Sequence, residues 1–129
     1  MKALVPVLVL APTLALAGPW TPLAKEPDHT LLLDRGSVRA SDGSRKAWTM
    51  ESYRKAQSTP DGKPYLSVRS QHSYACDGAT RTLLAQAFYA EVLGKGEPVG
   101  TFKYESYDPE AIPPGSLAEK ALKAVCKKR

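Results

Sequence analysis

Three Asp-Gly pairs, Asp42-Gly43, Asp61-Gly62 and Asp77-Gly78, constrain this chain more than any other feature. Asp and Gly tolerate the positive φ that tight hairpin turns require, so each pair flanked by alternating residues predicts two antiparallel neighbours. The flanking segments carry that alternation. Thr30–Asp34 precedes the first pair, and Lys46–Tyr53 follows it with Trp48 and Met50 on one face. In Tyr65–Cys76, Leu66, Val68, Tyr74 and Cys76 share one side and Tyr65, Ser67, Arg69, Gln71 and Ser73 the other. Connections this short build hairpins and leave no room for parallel crossovers. Val99–Tyr104 is a further strand after the Gly94–Pro98 turn. Trp20–Ala24 reads as an opening strand, which Pro19 and Pro22 confine to an edge.

Two segments carry helical periodicity. In the C-terminal one, Pro113-Pro114-Gly115 breaks the chain, and Ser116 with Glu119 forms a capping box. Leu117, Ala118, Ala121, Leu122 and Val125 then make one stripe, with Lys120 and Lys123 pointing away. In Ala79–Leu93, residues Leu83, Leu84, Ala87, Phe88 and Val92 line one side of a helix, which propensity favours. Leu83, Ala85, Ala87 and Tyr89 equally line one face of a strand. Periodicity leaves both readings open.

The first 17 residues read as a cleaved export signal. Met1-Lys2 gives a positive start, Ala3–Leu16 an apolar run, and Ala15-Leu16-Ala17 a small-residue cleavage site. As a membrane anchor the run is too short and is broken by Pro6 and Pro12. The mature chain is expected to be one domain, 18–129, in a protein of 129 residues. That length excludes two-lobed enzymes and doubly wound nucleotide-binding folds. Of the 17 signal residues, 13 are Met, Ala, Val or Leu, so the 43% apolar content overstates the core that remains. In an oxidising compartment the two cysteines, Cys76 and Cys126, are most simply read as one disulfide. A helix with its stripe on the sheet brings Cys126, at the stripe's edge, to Cys76 on a core-facing strand position.

The order of these residues resembles the surface-adhesin protein E-like family of bacterial envelope proteins. The resemblance rests on the signal, Trp20, Asp34-x-x-Ser37-Val38, Trp48, Tyr65-x-Ser67-Val68-Arg69, Cys76, Gly94-x-Gly96, Pro114-Gly115-Ser116 and Val125-Cys126. It implies an α+β fold: about six antiparallel strands in a curved sheet, with a C-terminal helix held on the concave side by the Cys76–Cys126 disulfide. It also implies that Ala79–Ala90 is a strand, since tertiary context overrides propensity. The family's founding member binds host extracellular-matrix proteins through a stretch that resembles Lys63–Arg81. Lys63, Tyr65, Arg69 and Arg81 are its matching positions and suit an acidic or glycosaminoglycan-like partner. The polar face carrying Arg69, with Lys63 and Arg81 near its ends, is the expected binding surface. With no lipobox cysteine after the signal, the product is expected to be periplasmic or secreted. The family type also implies a homodimer through sheet edges as one mode of association.

No catalytic or metal-binding pattern stands out. Gly-x-Ser-x-Gly, HExxH and phosphate-binding glycine loops do not occur, and the chain contains no Asn. No cofactor is implied, and no residue pair marks a haem site. His72 falls on the Leu66/Val68 side and reads as an inward, hydrogen-bonded histidine. Exposure of His72 and Tyr74 in a pocket favours ligand binding; burial under the helix disfavours it. The net charge of +5 falls to +4 without Lys2 and is scattered, which points away from nucleic acid. The expected function is a non-catalytic binding module for host matrix or envelope components. The alternatives are a structural periplasmic protein or an inhibitor of an envelope enzyme.

Overall fold

The computed structural model describes residues 20–105 and 108–127. The signal segment, Tyr107 and the last two residues of the Lys127-Lys128-Arg129 tail lie outside these. Seven strands form one antiparallel sheet: β1 (Trp20–Lys25), β2 (His29–Ser41), β3 (Ser44–Ser58), β4 (Pro64–Ala75), β5 (Thr80–Tyr89), β6 (Pro98–Lys103) and the two-residue β7 (Glu110–Ala111). The first six run in sequence order across the sheet, and β7 also pairs with β5. One helix, α1 (Leu117–Cys126), follows.

All three Asp-Gly pairs connect antiparallel neighbours, as expected. At Asp42-Gly43 both residues have positive φ, 47° and 81°, the geometry of a two-residue hairpin turn. Gly62 takes φ 87° in the β3–β4 connection. At the third site the left-handed residue is Ala79, with φ 53°, one position past Gly78. Its N–H donates to the Ala75 carbonyl at 3.0 Å, so the turn is wider than two residues.

Ala79–Leu93 is therefore a strand up to Tyr89, as the family resemblance implied and propensity did not. The pairing splits the single strand face expected for Leu83, Ala85, Ala87 and Tyr89. His72 pairs with Leu83, but the next residue back, Gln71, pairs with Ala85. Leu84 is the extra residue of a β-bulge, and it inverts the parity of everything after it.

Both faces of the sheet are covered. On one, α1 lays Ala121, Leu122 and Val125 against Leu31, Leu33, Ala47 and Tyr74, with Ile112 filling the same core. On the other, Leu32, Met50 and Tyr89 are buried. Over them lies a short 3-10 turn, Val92–Gly94, fixed by serines: the Gly94 N–H donates to Ser67 Oγ (2.8 Å), and the Leu93 N–H to Ser52 Oγ (3.0 Å). Gly94 takes φ 67°, a left-handed backbone that strains any side chain, and a Cβ there would also push on Met50 Cε at 2.9 Å. Two-sided cover accounts for the unbroken Leu31-Leu32-Leu33 run, in which three successive residues are buried.

Helix α1 is held at both ends. Ser116 Oγ accepts from the Glu119 N–H (3.2 Å), and Glu119 Oε1 accepts from the Gly115 N–H (2.8 Å). At the C-terminus the Arg45 guanidinium donates to the carbonyls of Val125 (3.0 Å) and Lys127 (3.2 Å), where cations are favoured. The Cys76–Cys126 disulfide forms, with Cα atoms 5.6 Å apart. Among the described residues no helix is long and apolar enough to cross a membrane.

Candidate functional site

Lys63–Arg81 is the central strand β4 with its flanking turns. Its backbone is paired on both sides, so only side chains are available to a partner. The four residues singled out from the sequence do not share a surface. Lys63 is exposed at the start of β4, with Nζ 3.9 Å from Asp61 Oδ2 and 3.3 Å from the Val99 carbonyl.

Arg69 pairs with Met50, on the face opposite the helix. Its guanidinium carbon lies 4.8 Å from the Trp48 ring centroid and 5.8 Å from that of Trp20. Nη1 is 3.4 Å from the Tyr89 hydroxyl, and Nε is buried without a hydrogen-bond partner. Arg81 pairs with Tyr74 and so faces the helix side, where its Nε donates to Glu110 Oε2 at 3.2 Å. The expected placement of Arg81 at the end of the Arg69 face is corrected: the wider turn after β4 brings it opposite Tyr74 on the other face.

Tyr65 belongs to a row of rings that crosses the sheet. His29 stacks on Tyr53 at 4.8 Å, Tyr53 meets Tyr65 edge-on at 6.1 Å, and Tyr65 meets Phe88 at 4.8 Å. The row continues through Phe102 (5.7 Å) to Tyr104 (6.4 Å). Such contacts are favourable edge-to-face and offset geometries. Its members come from β2 to β6 and the residue just after, so only the strand register assembles it. His29 also lies between two carboxylates, with Nδ1 2.9 Å from Asp28 and Nε2 3.3 Å from Glu51.

Beside this row, under α1, is a cavity of about 220 Å³. Its floor is polar, from Thr49, Ser70 and His72, and its helix wall is apolar, from Leu117, Ala118 and Ala121. Arg81, Glu51 and Glu110 bring charge to it. His72 faces inward as expected and is 6% exposed. Its Nδ1 is buried with no hydrogen-bond partner. Tyr74 is fully buried, with its hydroxyl beside Arg81 and Thr49. Burial and the nearby Arg81 charge lower the His72 pKa to about 3, so its imidazole is neutral at physiological pH. Burial also pushes the Tyr74 hydroxyl up. Sequence reasoning missed Glu51, Gln86 and Glu110. Glu110 lies between Pro109 and Pro113-Pro114 in a segment without periodicity, and the Leu84 bulge alone brings Gln86 round to donate to Ser70 Oγ at 3.1 Å.

An open antiparallel sheet, closed on one side by a disulfide-tethered helix and lined by aromatic and cationic side chains, defines a small α+β module of the adhesin type. The family model described as surface-adhesin protein E matches residues 20–127, and the chain belongs to that family. The fold is shared with Haemophilus influenzae protein E. In its crystal form II, that protein is 20% identical with a TM-score of 0.67, over 91% of this chain and 94% of that one. Protein E from non-typeable Haemophilus influenzae is 18% identical with a TM-score of 0.59, over 91% and 81%. No curated protein matches the chain.

Proposed function

We propose that this adhesin-like protein is exported to the bacterial envelope and binds an acidic host-matrix or envelope component there without catalysis. This reading is carried by the position of the stretch that resembles the founding member's binding segment. Lys63–Arg81 coincides with β4 and its turns, and places Lys63 and Tyr65 at one end and Arg81 at the other. Twelve residues of strand span about 40 Å. That spacing suits an extended, multiply charged partner, such as an acidic polysaccharide or an acidic segment of a matrix protein. Arg69 acts by fixing Trp20 and Trp48, and its enclosure between them argues for support over direct contact.

Binding of the mature chain to immobilised matrix proteins and to heparin, measured over a salt series, tests this. Lys63→Glu with Arg81→Glu weakens binding and flattens its salt dependence, because fewer counterions are displaced. Undiminished binding by the folded double variant to every component that the natural chain binds contradicts the proposal.

A further inference from the structure

We propose that the cavity beneath α1 is a binding site for a small zwitterion with an apolar side chain, of the free amino-acid class. Four observations converge on it. Its volume of about 220 Å³ lies below the ~300–1,000 Å³ typical of drug-sized ligands and suits a smaller molecule. His72, which lines it and is more than nine-tenths buried, carries a polar atom that no protein group satisfies, Nδ1. Buried polar atoms of that kind are costly unless a bonded molecule reaches them. Charge of both signs meets there, since the Arg81 guanidinium and the Glu51 carboxylate both line it. Finally, Leu31, Leu83, Leu117 and Ala118 supply an apolar wall.

These groups divide the ligand between them. Arg81 is the donor for a carboxylate, and Glu51 accepts from an ammonium. The helix side then packs against an aliphatic side chain. Burial of His72 and Tyr74, expected from the sequence to disfavour ligand binding, excludes a macromolecule here and leaves His72 only to a molecule small enough to enter the cavity. Glu110, with a side chain 58% exposed, stands where the cavity meets solvent and holds Arg81 at its mouth. Water alone is the competing occupant, since a polar cavity of this size also accommodates it.

The test is a titration of the oxidised mature chain with free leucine, and with glycine and isovalerate as controls, followed by amide and histidine NMR shifts. Leucine is expected to give a saturable shift localised to His72, Ser70 and residues 117–121. Glycine lacks the side chain and isovalerate the ammonium, so each binds at least ~10-fold more weakly, as expected for loss of one buried contact class. Ala118→Leu fills the cavity and abolishes the shift, and Glu51→Gln weakens leucine about as much as removing the ammonium does. Absence of saturable shifts with leucine at millimolar concentration, or shifts that survive Ala118→Leu in a folded variant, overturns the proposal and assigns the cavity to water. The site does not rest on the matrix-binding reading. Ala118→Leu leaves heparin binding intact if both readings hold.

Discussion

His72 is where a single residue most affects how the fold responds to its surroundings. In the unfolded chain its imidazole titrates near the ordinary value of 6.5, whereas in the fold burial holds it neutral to about 3. Between those two values the unfolded state binds the proton and the native state does not, so stability falls as pH drops below ~6.5. Arg81, Glu51 and Glu110 line the same cavity as His72. A shift of this size corresponds to a few kcal/mol at most. The urea midpoint is expected to drop from pH 7 to pH 5, and His72→Gln is expected to flatten that dependence. An equally steep profile in the variant assigns it to other groups. Arg69 makes a second residue-scale prediction. A cation between two rings contributes ~0.5–2 kcal/mol, so Arg69→Ala is expected to destabilise by about that amount and to shift tryptophan fluorescence as Trp20 and Trp48 lose their partner. Alternation placed His72 inward and Arg69 opposite it. What the sequence could not show is that Arg69 lies between two tryptophans of other strands, because that depends on a register set by bulges.

At the scale of elements, the strands were legible wherever a turn residue and an alternating run coincided, and less so where the backbone departs from regularity. Asp34-x-x-Ser37 illustrates the difference. Its spacing was visible as a motif, but its role is mechanical. The Gly36 N–H donates to Asp34 Oδ1 at 3.1 Å, Ser37 Oγ donates to the Asp34 carbonyl at 2.7 Å, and the Trp48 N–H donates to Ser37 Oγ at 2.9 Å. A serine thus stands in for the ladder where the β2–β3 register shifts. β5 was ambiguous because the Leu84 bulge breaks the two-residue period, and its Ala, Leu and Gln content favours a helix when taken alone. β7 and Ile112 were not foreseen, since prolines surround them. Two element-scale predictions follow from local geometry. Ala79 takes φ 53°, which costs an L-residue ~1–2 kcal/mol and glycine little, less the entropy that glycine adds to the unfolded chain. Ala79→Gly is therefore expected to raise stability by up to about 1 kcal/mol, read as a higher denaturation midpoint. Ser116→Ala removes the acceptor of the Glu119 N–H and is expected to cost ~1 kcal/mol.

At the scale of the whole molecule, a sheet one layer thick has to bury two faces with little chain. One face receives a ten-residue helix, and the other only a short turn held by Ser52 and Ser67. The Cys76–Cys126 bond closes a 50-residue loop and keeps α1 over the core and the cavity. In the chain-entropy model a loop of that length stabilises by about 4 kcal/mol. Replacement of both cysteines by serine is expected to forfeit much of that and to loosen α1 first, seen as hydrogen exchange at 117–126 faster than in β3 and β4. The sequence made this tether legible through cysteine number and the expected export signal, and family resemblance supplied the six-stranded layout around it. The division of the Lys63–Arg81 cations between two faces was not legible, because it depends on the width of the turn at Ala79. Both proposed binding roles depend on export and oxidation. The most direct measurement is therefore the intact mass of the chain recovered from fractionated cells without reduction. The expected result is a product in the envelope or medium that begins at Gly18 and lacks the two thiol hydrogens. A cytoplasmic product that retains residues 1–17 and two free thiols would contradict the account.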